Sequence, residues 1–244
     1  MIKKDAVRRA YLDLRKLIVQ GTFAPGSPLI ERKVADVVGG SRSTVRSALQ
    51  QLAGEGFVTV SRIGSHYTRY VVGALTIEEM REWYHMFGAL DGLAARGAAS
   101  LPPESRRKVA EAARESACAH YEAGSGEEPR YERIQELDAR FHDTYVQAGG
   151  GRLLLRQYEA MRPHVERYGI FYATALISEL PSEVLKEHLA IVEAIEGGDA
   201  DAAEKAAVAN WRNASVRFAE VMRAWGERGN WASFDGVREA GELT

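Results

Sequence analysis

The 244-residue sequence holds a single cysteine, Cys118, so it cannot form an internal disulfide, and a reducing compartment, the cytoplasm, is expected. No stretch approaches the roughly 18 consecutive apolar residues of a membrane span, which excludes a membrane partner from the expectation. The opening MIKKDAVRRAYLDLRKLIVQG interleaves charges with its apolar residues, unlike a secretory signal. There is no phosphate-binding loop and no triad signature, so an enzyme is not the expected reading. An excess of charge is missing too: the formal net charge is −2. That balance conceals an asymmetry. Residues 1–75 carry 12 Lys/Arg against 5 Asp/Glu, a net of +7, and the remainder carries −9. A basic first third on an acidic body is the footprint of a chain in which one domain meets a polyanion. The length allows two domains with separate cores, and 45% hydrophobic with 27% charged residues is ordinary for a globular protein.

Within residues 5–20, Val7, Ala10, Leu14, Leu17 and Ile18 fall at helical spacing behind Asp5 as a cap. Gly21, Pro25, Gly26 and Pro28 end that pattern. A short second helix is predicted over 31–38, burying Ile30, Val34, Val37 and Val38, with a turn at Gly39-Gly40. Ser41 caps a third helix whose Val45, Ala48, Leu49 and Leu52 share a face. Two short helices on a tight glycine turn form a helix-turn-helix. On the polar side of the third helix, Arg42 and Arg46 stand one turn apart beside Ser43, Thr44 and Ser47. Arginine pairs bidentately with guanine edges, and small hydroxyl residues allow a close approach to phosphate. Phe57 to Val60 and Tyr67 to Val72 then read as a two-stranded wing with Gly64 near its tip.

The stretch LRKLIVQGTFAPGSPLIERKVADVVGGSRSTVRSALQQLAGEGFVTV resembles the DNA-binding domain of the GntR family of regulators. It carries in order a start helix, a PG turn, L-x-E-[RK]-x-[LV]-A, S-R-x-x-V-R-x-A-L and L-x-x-E-G-[FL]-V. The resemblance implies that Arg32, Ser41, Arg42, Ser43, Thr44 and Arg46 meet the major groove of a double-stranded operator. It implies also that Gly64 lets the wing approach the minor groove.

From Thr76 onward only amphipathic helices are predicted. The Thr76/Glu79 capping box opens a helix burying Met80, Trp83, Phe87, Leu90 and Ala94. Further helices follow over about 103–122, 130–148, 152–177 (kinked at Pro163), 181–195 and 199–224, and 226–244 is a tail of little periodicity. Three helices carry polar residues inside the apolar stripe: Asp138 and His142 beside Ile134, Phe141 and Tyr145; His188 between Leu185 and Val192; Asn210 between Ala207 and Ala214. Converging from three helices, these four would make a first shell for a divalent metal such as zinc, nickel or manganese. The alternative is a metal-free network of hydrogen-bonded core groups.

ALDGLAARGAA, LDARFHDTYVQAGGGRLL and EHLAIVEAIEGGDADAAEKAA are similar to stretches of the FCD domain, the helical ligand-binding domain of the FadR subfamily of these regulators. Members with a metal site use Asp, His, His and His, which Asp138, His142 and His188 match, while Asn210 stands where the fourth histidine is usual. Phe87 replaces an arginine found in many FCD domains four residues before the motif's acidic residue, here Asp91; Arg162 is the candidate substitute as an anchor for a carboxylate effector. His85 and His164 are expected at the surface. The resulting expectation is a mainly α protein. A winged helix-turn-helix (α with a small β wing) spans 1–72, and an antiparallel all-α bundle over 76–225 binds effector and metal and dimerises. It would act as a homodimeric repressor controlled by a small molecule. The rival readings are a metal-dependent enzyme and a DNA-binding protein without an effector.

Overall fold

A computed structural model describes residues 2–63, 67–126, 131–172 and 181–229, and these form nine helices and one two-stranded antiparallel sheet. The elements fall into two compact units: residues up to Thr76 together with those from Gly226 onward, and Ile77–Trp225.

In the first unit, α1 (Ile2–Val19) packs on α3 (Arg42–Gly54), with α2 (Glu31–Val38) beside them. Leu14 and Ile18 of α1 meet a core that includes Val34, Val45, Leu49, Leu52 and Phe57, all buried. The stripe read from the sequence is therefore correct for α1 and α3, but α1 starts ahead of Asp5, which lies within the helix. On α2 the prediction was too generous. Ile30, the extended N-cap residue outside the helix, and Val37 are exposed, and only Val34 and Ala35 are buried. Gly39 and Gly40 have φ of 73° and 117°, backbone that other residues enter only at a cost, so the tight link between α2 and α3 depends on them. The wing pairs β1 (Val58–Ile63) with β2 (Tyr67–Val72) in the register Val58↔Val72 to Ile63↔Tyr67. Gly64, the predicted wing tip, lies outside the described residues. The segment before α2 runs along β2, with Leu29 N–H donating to Tyr70 O at 2.8 Å and Val72 N–H donating to Ser27 O at 3.0 Å.

This unit also has a piece from the other end of the chain. Leu75 and Arg228 form an antiparallel bridge through two backbone hydrogen bonds of 2.8 and 3.2 Å. Residues set apart from the sequence as a tail thus begin with a segment that pairs with the first unit.

The second unit contains α4 (Ile77–Ala99), α5 (Pro103–Ser125), α6 (Tyr131–Gly149), α7 (Arg152–Tyr172, with Pro163 inside it), α8 (Pro181–Gly197) and α9 (Ala200–Trp225). Asp199 caps α9, its Oδ1 accepting from Ala202 N–H at 3.0 Å. The long helices α4 and α9 pack on each other, and α5 packs on both α6 and α8. The α4–α9 approach needs bare backbone: a Cβ at Gly88 would stand 2.6 Å from Trp211 Cβ, and one at Gly92 2.7 Å from a Val208 methyl. Trp83, expected inside, is only half-buried, and Tyr84 takes the inward place predicted for Trp83. His164, expected at the surface, is buried with its ring stacked on Trp83 at 3.9 Å between centroids, whereas His85 is exposed. Among the described residues no helix is long and apolar enough to cross a membrane.

Candidate functional sites: an arginine-bearing helix and a histidine-lined chamber

The start of α3 is fixed by Ser41. Its Oγ accepts from Thr44 N–H at 3.2 Å and lies 2.9 Å from both Ser43 Oγ and Thr44 Oγ1. Thr44 is itself buried, so its side chain serves the cap, while Arg32, Ser41, Arg42, Ser43 and Arg46 are exposed. Arg46 makes a two-pronged ion pair with Glu31 of α2: Nε donates to Oε1 at 2.7 Å and Nη2 to Oε2 at 2.9 Å. Arg42 Nη2 lies 3.9 Å from the same carboxylate. The hydrogen bonds from Arg46 hold the Glu31 carboxyl below its ordinary pKa. Sequence reading missed Glu31, although it is the acidic residue of the L-x-E-[RK] pattern. This orients the second arginine before any ligand arrives.

In the helical unit a chamber of about 430 Å³ is bordered by residues of α4 to α9. Its polar corner brings together Asp138, His142 and His188, whose candidate ligand atoms lie within 4.8 Å of one another. His142 and His188 are buried; Asp138 is partly exposed on the chamber wall, not sunk in the core as its stripe suggested. His142 is held from behind by the fully buried Asp91 of α4. Its Nδ1 lies 2.8 Å from Tyr145 Oη and 3.3 Å from Asp91 Oδ2, and Tyr145 O–H donates to that same carboxylate oxygen. Tyr145 has one hydrogen and gives it to Asp91, so the bond with His142 is satisfied when Nδ1 carries a proton, which leaves Nε2 bare. A carboxylate behind a histidine in this way fixes ring and tautomer for metal ligation. Burial disfavours the His142 imidazolium most strongly, but the carboxylates of Asp91, Asp138 and Asp143 together outweigh it and raise the pKa. His188 goes the opposite way, held well below the ordinary histidine value by burial and by its neighbours His142 and His120. It is a neutral imidazole with both ring nitrogens buried and without a hydrogen-bond partner. Orphaned buried nitrogens beside a carboxylate and a second imidazole suit a divalent ion.

Asn210 borders the same chamber, but its Nδ2 donates to Glu187 Oε2 at 2.9 Å. Glu187 is also gripped by Arg217 at 2.8 and 3.1 Å and by Asn213 at 2.9 Å. Arg162 reaches the chamber with its guanidinium already bonded through both Nη atoms to Asp143, with Glu159 3.4 Å away. Asp91 entered the sequence reading only as a motif residue. His120 did not enter it at all, although Ala113, Ala117 and His120 follow i, i+4, i+7 on the buried side of α5.

A winged helix-turn-helix with exposed arginines, together with an all-helical chamber, defines the class of ligand-responsive transcription regulators. Residues 6–67 match the family described as "Bacterial regulatory proteins, gntR family", and residues 82–213 match the FCD domain. The chain belongs to the GntR family, as a DNA-binding transcription regulator with an FCD effector-binding domain. It is 26% identical over 226 residues to the HTH-type transcriptional repressor RspR of Escherichia coli (strain K12), covering 93% of each chain. It is 32% identical over 193 residues to the "Probable D-xylose utilization operon transcriptional repressor" of Paenarthrobacter nicotinovorans, covering 78% of each. Its fold resembles that of E. coli McbR/YncC with a TM-score of 0.63 at 16% identity, over 91% of this chain and 99% of that one.

Proposed function

We propose that this regulator is a cytoplasmic repressor that binds a pseudo-palindromic operator as a homodimer and releases it when a small anionic effector fills the helical chamber. The single observation that carries this reading is the exposed pair Arg42 and Arg46, one turn apart at the capped start of α3. In the major groove the two guanidiniums read guanine edges, Arg32, Ser41 and Ser43 engage phosphates, Thr44 holds the helix start, and Gly64 carries the wing tip to the minor groove. Two curated relatives named as repressors support the sign of control.

In the chamber, Asp138, His142 and His188 hold a divalent ion such as zinc, nickel or manganese, with Asn210 beside them. The ion supplies positive charge and a Lewis-acidic anchor for an effector carboxylate. Asp91 presents His142 in the ligating tautomer, and His188 stays neutral through burial. Arg162 adds a second contact to the effector only where the anion competes with Asp143 for its guanidinium. The effector acts through its preference for one arrangement of the dimer over the other, and that difference in affinity limits its effect on DNA binding.

The test is a titration of full-length protein against its own promoter region and against a random duplex of equal length at moderate salt. Preference for the promoter, weakened by a metal-dependent carboxylate ligand, is the expected result. Equal affinity for both duplexes overturns the reading.

A further inference from the structure

Resting on the reading of the chamber as a metal site, we infer that His120 of α5 supplies the fourth protein ligand, in place of Asn210. His120 is buried, and its Nδ1 has no hydrogen-bond partner. Its Nε2 lies 3.9 Å from Asp138 Oδ1, the same oxygen that lies 3.6 Å from His188 Nε2, and the His120 and His188 ring centroids are 5.5 Å apart. One carboxylate oxygen thus stands between two imidazoles at separations too long for hydrogen bonds. They are close to those of ligands sharing an ion: bonds of about 2.0–2.1 Å in a tetrahedron place neighbouring donor atoms roughly 3.3 Å apart. On the Asp138 side the shortfall is about 0.3–0.6 Å, while His120 lies outside the group of Asp138, His142 and His188 whose donor atoms already fall within 4.8 Å of one another, so it joins them by swinging inward as the ion binds.

The arrangement of helices favours this donor. The packing of α5 against both α6 and α8 brings His120 to the two helices that carry Asp138, His142 and His188. Asn210 could offer a metal only its amide oxygen, its nitrogen donating to Glu187, which Arg217 and Asn213 hold in turn. Imidazole is also the stronger ligand toward zinc or nickel than an amide oxygen. The centre is then three nitrogens and one oxygen from α5, α6 and α8.

The experiment is an equilibrium competition between full-length apo protein and a chromophoric chelator for Zn(II) and Ni(II), with the visible spectrum of the Co(II) form as a second readout. His120→Gln is expected to weaken binding by at least about 10-fold, beyond the effect of losing an outer contact at its mildest, and to alter the Co(II) spectrum. Asn210→Ala is expected to stay within about threefold of the wild type, a change under 1 kcal/mol. Circular dichroism of each apo variant checks the fold. Should His120→Gln not fold, His120→Cys in a Cys118→Ser background carries the test, through a sulfur-to-cobalt charge-transfer band absent from Cys118→Ser alone. Unchanged affinity and spectrum in His120→Gln, or no such band in a folded His120→Cys, overturns the assignment of His120 alone. A wild type that binds none of the three ions overturns the metal reading beneath it.

Discussion

On α3 the side chains of Arg42 and Arg46 are 70% and 56% exposed, whereas in the helical unit Arg162 and Arg217 are 20% and 15% exposed. Arg46, Arg162 and Arg217 all have carboxylate partners, so pairing is not what separates the two regions. Burial is. An ion pair in water is worth little, about 0–1 kcal/mol, and a phosphate or guanine edge displaces the partner readily. Parting a sheltered pair leaves a charge without compensation, which costs several times more. The first unit therefore offers its cations to a polyanion, while the chamber's cations are already spent on Asp143 and Glu187. An anionic effector needs a positive charge from another source, which is the physical argument for an ion held by Asp138 and the histidines.

The sharpest way to break this comparison is the double change Arg42→Ala/Arg46→Ala. Each bidentate base contact is worth about 1–3 kcal/mol, so promoter affinity is expected to fall by roughly 30-fold or more. Band-shift titrations at several salt concentrations check this; unchanged affinity and salt slope refute the exposed-arginine account. Next is Asp91→Asn, which removes the charge behind His142. Metal affinity is expected to drop by about 10- to 100-fold while the intact first unit keeps its DNA contacts, measured by chelator competition and band shift on the same preparation.

Gly88→Ala tests packing in the helical unit alone. The added carbon meets Trp211, and a loss of about 1–3 kcal/mol is expected in denaturant unfolding. The smallest effect is expected from Glu31→Gln, since its partner Arg46 is largely in solvent. Stability should fall by less than about 1 kcal/mol at neutral pH, and promoter affinity should change only a few-fold. The folded-state pKa of Glu31 is lowered, so its contribution is present above the unfolded carboxylate value and disappears as pH falls through the folded one. A comparison of wild type and Glu31→Gln in acid unfolding should show the two curves converging at low pH.

The same contrast explains what could be read from the residues alone. The α3 surface lies within one capped helix, so a 3.6-residue period suffices to place Arg42 and Arg46 on its polar side. The chamber's residues come from separate helices. Periodicity put Asp138, His142, His188 and Asn210 inward, but it cannot measure how deep each sits or which neighbour claims it. Asp138 therefore proved half-open, and the Asn210 amide proved tied to Glu187. His120 shares its stripe with alanines, which draw the eye as packing and not as chemistry. Glu31 and Arg46 meet across the α2–α3 turn, a contact that depends on the crossing of two helices. Arg162, a candidate effector anchor from the sequence, lines the chamber, but its bond to Asp143 joins two different helices and has no signature in spacing.

The bridge between Leu75 and Arg228 has a consequence for how the molecule is made. The ribosome delivers α1, α2, α3 and the wing first, yet one backbone pairing of that unit waits until the whole helical unit has been synthesised. Until then Leu75 keeps an amide and a carbonyl that only water can satisfy. A shortened gene product ending at Trp225 would keep them so for its lifetime, and a fusion partner placed near that end would burden the unit that touches DNA, not the one that holds the effector.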